Sequence, residues 1–295
     1  MLNQVPQKGK PFDKLPSKVL ENFDKTEYLV STKYDGNQIF IVKRNNKVTW
    51  FTSDWKQFDI PGIGSELLNN KQDFILVAEF MYNCEGKLGD RRKSAILTTL
   101  RTCFKKDIVN PITFKENLCN IKVFDCICFK DYELISLPVY DIAYKHRLSI
   151  ARLLYTPSEI SIIVTFTCTG AEATRLAKKL VNSGWEGCML VEPDSYYKVD
   201  KRVNHSIKLK YRKTADLLCI DVLQGDGKYA EMIGSLVLQD SKGRIVNVGS
   251  GLSDLDRNIA DYYVGKIVEI EYEQLMDTYI QPTFVQVRLD KKKAD

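Results

Sequence analysis

The chain has 295 residues, of which 44% are hydrophobic and 27% charged, and its net charge is +5. Such values are typical of a globular protein with one large or two modest domains, and they permit a nucleic-acid partner without requiring one. Apolar runs stay well short of the roughly 20 residues of a membrane span, and the N-terminal residues lack the apolar core of a signal peptide. We therefore expect neither membrane association nor export.

The cysteines and histidines do not form a zinc motif. Eight cysteines and two histidines are present, but no CxxC occurs, and His146 is far from His205 in the sequence. The closest pair, Cys126 and Cys128, alternates with apolar residues as strand positions do. We expect reduced, mostly buried thiols in a cytoplasmic protein, and no zinc.

Strands dominate the predicted secondary structure. Two segments, 144–155 and 171–184, have helical spacing of apolar residues, and the second ends at Gly184 after a turn that carries lysines. Because strands do not alternate with helices, we predict an α+β fold rather than a doubly wound one. Apolar and alternating runs predict mainly antiparallel strands over 38–44, 47–53, 74–82, 120–129, 161–169, 187–193, 206–212, 216–223, 235–240, 244–250, 266–275 and 283–290.

The strands after residue 213 are joined by short turns such as QGDG (224–227) and SKG (241–243). Five strands in a segment of this length predict a Greek-key barrel of the oligonucleotide-binding (OB) type. We therefore expect two domains, an antiparallel-sheet body over 1–212 and an OB-fold β-barrel over 213–295. Neither a Walker A motif nor GxGxxG is present, so a bound nucleotide would need another kind of site.

One lysine stands beside turn-forming residues. The stretch STKYDGNQIF (31–40) places Lys33 two residues before Asp35-Gly36, a pair that is typical of tight turns. Since apolar runs precede and follow it, one interpretation is a solvated lysine on a hairpin. The other is that Lys33 is a nucleophile.

Further along the chain, polar residues interrupt strands that are otherwise apolar. Each could lie on a surface, but a charge in a buried strand costs free energy unless another charge or a ligand meets it. Lys208 and Lys210 are two apart and therefore lie on one face of their strand. The interrupting residues are Glu79, Phe124-Asp125, Glu186, Lys208, Lys210, and Arg288 with Asp290 and Lys291.

In order, these residues resemble the motifs of the covalent nucleotidyltransferases: ATP-dependent DNA ligases, RNA ligases and mRNA capping enzymes. Lys33-Tyr34-Asp35-Gly36 is similar to their first motif, KxDG. KxDG alone is weak evidence, whereas six motifs in order across nearly the whole chain are strong. The further matches are Glu79, Phe124-Asp125, Glu186-Gly187, Lys208-Leu209-Lys210, and Arg288-Leu289-Asp290-Lys291, which is similar to the RxDK motif of DNA ligases.

The resemblance implies a reaction in three steps. Lys33 attacks the α-phosphate of ATP, forms a lysyl–AMP and releases pyrophosphate; the AMP passes to the 5′-phosphate at a nick; the 3′-OH then displaces it. A lysine of ordinary pKa, about 10.4, is mostly protonated at neutral pH. Nearby cations such as Lys208 and Lys210, together with partial burial, would favour the neutral amine.

The resemblance also implies roles for the other residues. Positioning and charge neutralisation have to supply the rate, because little covalent work is left to them. Mg²⁺ is the natural metal for phosphate oxygens. The implied contacts with AMP are Ser31 with the adenine edge, Phe124 with the adenine ring, Glu79 with the ribose, and Lys208 and Lys210 with the phosphate. Glu186 would contact the metal, and Asp35 would assist the later steps. Arg288 and Lys291 would contact the β- and γ-phosphates after the barrel moves.

Two features depart from the usual ligase pattern. DNA ligases carry arginine five residues after the nucleophile, where this chain has Gln38; the candidate replacements are Arg44, Arg91, Arg92 and Lys93. The segment between Val222 and Gly234 is also too short for the long clamp-like hairpin of small viral ligases. We therefore expect a minimal viral, phage or bacterial accessory ligase. We expect a monomer that binds nicked duplex DNA through basic surfaces. It would act in the cytoplasm, which would be the cytoplasm of the host if the protein is viral.

Two other functions remain open at this stage. RNA ligases and capping guanylyltransferases share the first five motifs, and Gln38 removes one mark of a DNA ligase. RNA ligases generally lack the barrel with RxDK, whereas capping enzymes do have a barrel. A basic nucleic-acid binder with a degenerate catalytic domain is the second alternative, and it would need the lysines, both glutamates and the RLDK residues to be relics.

Overall fold

A computed structural model describes residues 7–60, 62–82, 100–106, 119–128, 139–198, 201–275 and 277–295. The chain divides into two compact units, Met1–Lys210 and Tyr211–Asp295. Each unit has its own buried apolar core. The prediction of an α+β chain made mainly of antiparallel sheet is confirmed, with two parallel strand pairs that the alternation of residues did not reveal.

The strands of the first unit range from 2 to 10 residues in length. In chain order they are β1 Lys8–Pro11, β2 Glu27–Thr32, β3 Asn37–Arg44, β4 Lys47–Thr52, β5 Gln57–Phe58, β6 Phe74–Tyr82, β7 Cys119–Cys128, β8 Val139–Tyr140, β9 Ile160–Ile162, β10 Phe166–Thr169, β11 Gly187–Val191, β12 Tyr197–Lys198 and β13 Arg202–Lys210. The helices are α1 Ser17–Phe23, α2 Tyr144–Arg152 and α3 Gly170–Asn182, with 3-10 turns at Phe12–Lys14 and Ser65–Asn69 and a helical stretch at 100–106.

Two main sheets form the first unit. One has the strand order β1-β13-β11-β2-β10 and the other the order β5-β4-β3-β6-β7-β9, while β8 and β12 form a small separate pair. β1 runs parallel to β13, and β9 runs parallel to β7. The single strand predicted over 161–169 is wrong, because its two ends belong to different sheets, β9 to the second and β10 to the first.

Apolar residues cover both faces of the second sheet at its centre. Ile39 to Val42 of β3 are all buried, and so are Phe74 to Ala78 of β6. Alternate residues of these strands belong to two different apolar clusters, one on each side of the sheet. Burial on both faces explains why these strands are continuous apolar runs rather than alternating ones, and it makes Glu79 in β6 an exception.

The third helix, α3, has strong signals at both ends. Thr169 and Glu172 form a reciprocal capping box: the Thr169 hydroxyl accepts a hydrogen bond from the Glu172 amide, and the Glu172 carboxylate accepts one from the Thr169 amide. Ala173, Ala177 and Val181, spaced by four residues, are its buried face. Gly184 follows with a φ of +93°. These local signals are why the predicted helix over 171–184 is close to the observed one.

The second unit is the five-stranded sheet that the sequence predicts. Its strands are β14 Lys213–Gln224, β15 Ile233–Gln239, β16 Ile245–Val248, β17 Ile267–Tyr272 and β20 Thr283–Val287, in the order β16-β15-β14-β17-β20. A small hairpin, β18 Gln274–Leu275 and β19 Tyr279–Ile280, and 3-10 turns at Gly227–Tyr229, Asp256–Asn258 and Ala260–Tyr262 complete it. Only residues 225–232 join β14 to β15, so no long hairpin is inserted there.

Candidate active site

Lys33 lies where the chain crosses from one sheet to the other. It follows β2, which belongs to the first sheet, and precedes β3, which belongs to the second. The interpretation of KxDG as the turn of a hairpin is therefore wrong. The Lys33 amide donates a hydrogen bond to the carbonyl of Gly187 at 2.9 Å, which continues the pairing of β2 with β11. A residue in this position faces the space between the two sheets.

The strand register brings the three lysines together. Across the first sheet, Ser31 is opposite Met189, and Met189 is opposite Lys208. Two pairs further along, on the same face, Gly187 is opposite Lys210 and accepts the hydrogen bond from Lys33. Side chains directly opposite one another on neighbouring strands point to the same face of a sheet. The register therefore places Lys33, Lys208 and Lys210 on one side of the first sheet.

Two motif glycines are required by close backbone contacts. A Cβ atom on Gly36 would lie 2.4 Å from the carbonyl oxygen of Phe80, and one on Gly187 would lie 2.2 Å from that of Leu209. Gly187 also has a φ of +126°, which side chains disfavour. The glycines of KxDG and of Glu186-Gly187 thus allow the loops that carry Lys33 and Glu186 to pass against neighbouring strands.

Glu79 is an acidic residue of the cavity wall. Its Oε1 accepts a hydrogen bond of 3.0 Å from the Gly36 amide, so it anchors the KxDG loop to β6. Burial raises the pKa of Glu79 to about 7, against the attraction of Lys33. A carboxyl group with such a pKa is about half protonated at pH 7, and its protonated form can donate as well as accept hydrogen bonds.

Burial is also the main cause of the lowered pKa of Lys33. Desolvation, followed by the positive charge of Lys210, lowers the pKa of Lys33 to about 8, with Glu79 acting in the opposite direction. The pKa of Lys208 is lowered as well, by burial first and then by Arg202 and Lys210. At pH 7 a lysine with a pKa of about 8 is neutral in roughly one molecule in ten, compared with fewer than about one in a thousand for an ordinary lysine.

Glu186 connects two of the lysines. One carboxylate oxygen contacts the Lys33 ammonium, and the other lies 3.2 Å from the Lys210 ammonium. The ion pair with Glu186 favours the charged form of Lys33, opposite to the effect of burial. An ion-paired ammonium is not a nucleophile, so attack by Lys33 would require this contact to break. Among the residues that the structure describes, no group of three or more His, Cys, Asp or Glu side chains could hold a metal by itself.

A β-bulge on β7 directs Phe124 towards the cavity. Val77 is opposite Asp125 and Ala78 is opposite Val123, so Phe124 is the extra residue. Bulges of this kind re-aim a side chain, and they are common beside active sites. The Tyr144 hydroxyl donates a hydrogen bond of 3.0 Å to the Phe124 carbonyl, which fixes the bulge to α2.

A cavity of about 420 Å³ lies between the two sheets. The volume is within the range of small-molecule sites, about 300–1,000 Å³. The aromatic ring of Phe124 and the polar groups of Ser31, Glu79, Lys33 and Lys208 meet around one space. Its lining includes Ser31, Lys33, Tyr34, Gln38, Glu79, Phe124, Tyr144, Met189, Val191 and Lys208. An apolar ring surface, a carboxyl group and two amines suit the base, the sugar and the phosphate of a nucleotide.

The chain matches two models of DNA ligase domains. Residues 6–210 match the ATP dependent DNA ligase domain, and residues 224–288 match the DNA ligase OB-like domain. The first match covers more than half of the chain. This chain belongs to the ATP-dependent DNA ligase domain family. The prediction of a nucleotidyltransferase domain followed by an OB-type domain is therefore confirmed.

Curated relatives of the ligase chain are longer than it is. It is 24% identical to DNA ligase 2 of Haloquadratum walsbyi over 260 residues. That alignment covers 83% of this chain and 41% of the relative. It is also 24% identical to DNA ligase 1 of Schizosaccharomyces pombe over an alignment of 306 positions, gaps included. That alignment covers 93% of this chain and 36% of the relative. The chain thus spans about two fifths of the length of these relatives.

Solved structures of small ligases have the same fold. A Lig E DNA ligase, described as binding DNA with a minimal scaffold, has a TM-score of 0.69 at 19% identity, covering 96% of this chain and 99% of that one. The ATP-dependent DNA ligase of bacteriophage T7, solved with ATP, has a TM-score of 0.53 at 18% identity, covering 96% and 98%. These likenesses support the two-domain ligase fold.

Arg288 and Lys291 belong to the second unit of the ligase chain and are surrounded there by carboxylates. Arg288 is 3.2 Å from Asp216 and 2.7 Å from Asp290, and Lys291 also contacts Asp216. Asp216 is buried, so the two cations neutralise a carboxylate inside the sheet. Within their own unit, the RxDK residues therefore already have a structural role that the sequence did not predict.

Sequence reasoning also missed Arg147 of α2. Arg147 is fully buried, and its guanidinium donates two hydrogen bonds, of 2.7 and 2.9 Å, to the carboxylate of Asp125. A third guanidinium nitrogen donates to the carbonyls of Ile142 and Ser195. Asp125, which the resemblance groups with Phe124, is thus an anchor of the bulge that presents Phe124. An arginine on the buried face of a predicted helix was the available signal.

Other predictions concern export, cysteines and the missing arginine. Within the described segments, no helix is long and apolar enough to cross a membrane. No disulfide joins any of the seven described cysteines, while Cys84 lies outside the described residues. Of the candidate replacements for the missing arginine, Arg44 is described: it ends β3, six residues from Gln38. The other candidates, Arg91, Arg92 and Lys93, lie outside the described residues.

Proposed function

We propose that the protein is an ATP-dependent DNA ligase that seals 3′-OH/5′-phosphate nicks in duplex DNA. The reaction would pass through a lysyl–AMP on Lys33 and a DNA-adenylate. One observation supports this above the others: Lys33 lies in a nucleotide-sized cavity with its pKa lowered to about 8 and with Lys208 beside it. A solvated surface lysine would have neither the cavity nor the lowered pKa.

The residues around Lys33 would supply the contacts that the first step needs. Phe124 and Glu79 would bind the adenine and the ribose, with Ser31 at the edge of the base, and the ammonium of Lys208 would bind the α-phosphate. Lys210 would stabilise the charge that develops on the same phosphate. These interactions position the reacting groups and neutralise charge, which is most of what phosphoryl transfer requires. Asp35, adjacent to Gly36 in the same loop, is our candidate for assisting the later steps.

Glu186 is the residue that would hold Mg²⁺. Its carboxylate oxygens, which contact the ammonium groups of Lys33 and Lys210, fit the hard, oxygen-binding character of this ion, and phosphate oxygens and water would complete its shell. Bound there, the ion would neutralise phosphate charge and act as a Lewis acid. The ligands of the chain itself are few, in keeping with a metal that is bound partly by the nucleotide.

Replacement of Glu186 tests this assignment. Glu186→Gln is expected to raise the Mg²⁺ concentration needed for half-maximal adenylylation by about tenfold or more, a loss of about 1.4 kcal/mol of binding free energy. Glu66→Gln, an exposed carboxylate in the same unit, is the control and should leave the Mg²⁺ titration unchanged. Identical titrations for Glu186→Gln and wild type would contradict a metal at Glu186.

The RxDK residues are expected to act in one step only. Arg288→Ala combined with Lys291→Ala should slow adenylylation by ATP strongly, because these cations would orient the leaving pyrophosphate. If supplied already adenylylated, the same variant should still seal nicks at an appreciable rate. Equal losses in both steps would indicate a general DNA-binding role instead.

The control for this variant removes the same charge from the same region. Lys292 and Lys293 are exposed neighbours of the motif, and their double alanine variant should adenylylate like wild type. Because Asp216 is buried and loses both of its cations in the test variant, thermal unfolding has to be followed in parallel. Assays at temperatures well below the unfolding transition then distinguish a loss of stability from a loss of the adenylylation step.

Nick sealing by the purified protein tests the proposed function as a whole. A panel of nicked duplexes with DNA or RNA in either strand, with ATP or GTP, distinguishes a DNA ligase from an RNA ligase and from a capping enzyme. Sealing of all-DNA nicks with ATP is expected. Gel filtration with light scattering tests our further proposal that the protein is a monomer. Failure to seal any nick, even with protein that forms an AMP adduct, would rule out the ligase function.

A further inference from the structure

A row of polar side chains crosses the second sheet on the side of the nucleotide cavity. Gln38 of β3 is directly opposite Glu79 of β6, Glu79 is opposite Lys122 of β7, and Lys122 is paired with Ser161 of β9. Paired residues share a face of the sheet, and Gln38 and Glu79 line the cavity. We call these four residues the polar row. Lys122 is its only cation.

The two charges in the polar row do not neutralise each other. Glu79 turns to the Gly36 amide, and the Lys122 ammonium donates a hydrogen bond of 2.8 Å to the hydroxyl of Ser161. Lys122 is partly buried and forms no ion pair with any carboxylate in the described part of the chain. A partly buried ammonium that donates to a hydroxyl rather than to a carboxylate keeps an uncompensated charge, and it is favourably placed to receive an anion.

One aromatic ring lies beside this cation, and a second ring packs against the first. The Lys122 nitrogen is 5.8 Å from the centre of the Tyr34 ring, and the Tyr34 ring meets the ring of Trp185 edge to face, at 6.0 Å and 88°. The Trp185 side chain is 42% exposed. Tyr34 is next to Lys33, and Trp185 is next to Glu186. The cation and the exposed indole therefore border the reacting groups, although neither lines the nucleotide cavity itself.

We propose that Lys122 and Trp185 form the docking site for the strand end at the nick. Lys122 binds a backbone phosphate, and the exposed indole of Trp185 stacks on an adjoining base. Stacking on an aromatic side chain and pairing of lysine with phosphate are the two contacts by which proteins bind a strand end without reading its sequence. The proposal rests on the proposed function, because it names residues that bind the nucleic-acid substrate of that same site.

The position of Lys122 also bears on Gln38, which stands where ligases usually have arginine. Arg44 is six residues along β3 from Gln38, about 20 Å at the rise of a strand. Lys122 is two strands away in the same row, about 10 Å. Of these two described cations, Lys122 is therefore the one placed to supply a positive charge near Gln38.

The first test removes the charge of Lys122. Lys122→Met is expected to form the protein–AMP adduct from ATP at close to the wild-type rate. Its adenylylated form should require more nicked DNA for half-maximal sealing. The slope of log affinity for nicked DNA against log salt should become shallower by about 0.9, the effect of losing one phosphate contact. The matched control is Lys47→Met, an exposed lysine at the start of β4 in the same sheet, which should change neither quantity.

The second test removes the aromatic surface of Trp185. Trp185→Ala should weaken binding of nicked DNA by roughly 5- to 150-fold, which is the loss expected when one aromatic side chain that stacks on a base is replaced by alanine. Trp185→Phe keeps a stacking surface and should restore most of that loss. If the only role of the indole were to hold the loop of Glu186 in place through its size, the smaller phenylalanine would not restore binding.

Two results would overturn the proposal. One is that sealing and the salt slope are unchanged in Lys122→Met and Trp185→Ala. The other is that adenylylation falls by the same factor as sealing, because the cluster would then only position Lys33. Both differ from failure of the proposed function, in which the wild-type protein itself forms no AMP adduct or seals no nick.

Discussion

Lys33→Ala is expected to abolish formation of the covalent protein–AMP adduct. The side chain removed is the nucleophile itself, so the loss should be complete, whereas loss of a residue that only binds ATP leaves residual activity. Incubation with ATP labelled at the α-phosphate, followed by a denaturing gel, measures the adduct. Lys25→Ala, an exposed lysine before β2, is the matched control and should be labelled like wild type.

The rate of adduct formation should also depend on pH in a defined direction. Attack requires the neutral amine, and burial lowers the pKa of Lys33 to about 8. The rate should therefore rise about tenfold per pH unit below pH 8 and level off above it. Lys210→Ala removes the cation that is the second cause of the lowered pKa, so its profile should shift to higher pH. A profile that is flat between pH 6 and 9 would contradict attack by a lysine with this pKa.

Arg147→Met is expected to cause the largest loss of stability. The substitution leaves the carboxylate of Asp125 buried without its counter-ion, and breaking a buried ion pair in this way typically costs about 3–5 kcal/mol. Urea denaturation, monitored on the first unit, measures the free energy of unfolding. Phe124 should also lose its fixed position, because Asp125 and the bulge form one segment of β7.

A control on the same helix separates burial from charge. Lys145 forms an ion pair with Asp194, but both side chains are largely exposed, so Lys145→Met should cost no more than about 1 kcal/mol. The double variant Asp125→Leu with Arg147→Met removes both buried charges and should be more stable than Arg147→Met alone. If Arg147→Met and Lys145→Met were equally stable, the buried pair would not anchor α2 to β7.

The parts of the site that could be predicted depend on local rules. Alternation along a strand predicted that Lys208 and Lys210 share one face, and the register of β13 with β11 agrees with it. The capping box at Thr169 likewise fixed the start of α3 from a few neighbouring residues. Such features are encoded in consecutive residues and hold whatever the rest of the chain does.

The parts that could not be predicted depend on contacts between distant segments. Asp35-Gly36 has the composition of a hairpin turn, yet β2 and β3 pair with other strands and the loop crosses between sheets. The partnership of Arg147 with Asp125 and the polar row of Gln38, Glu79, Lys122 and Ser161 depend on register between strands that are far apart in sequence. Local patterns carry no information about which strands become neighbours.

Mapping the covalent adduct tests the central claim most directly. The protein is incubated with ATP and Mg²⁺, digested, and examined by mass spectrometry for a peptide that carries one AMP. We predict a single modified residue, Lys33, formed with ATP in preference to GTP and lost when nicked DNA is added together with sealing of the strand. An adduct on another residue, or none at any pH between 6 and 9, would contradict the assignment of Lys33 as the nucleophile.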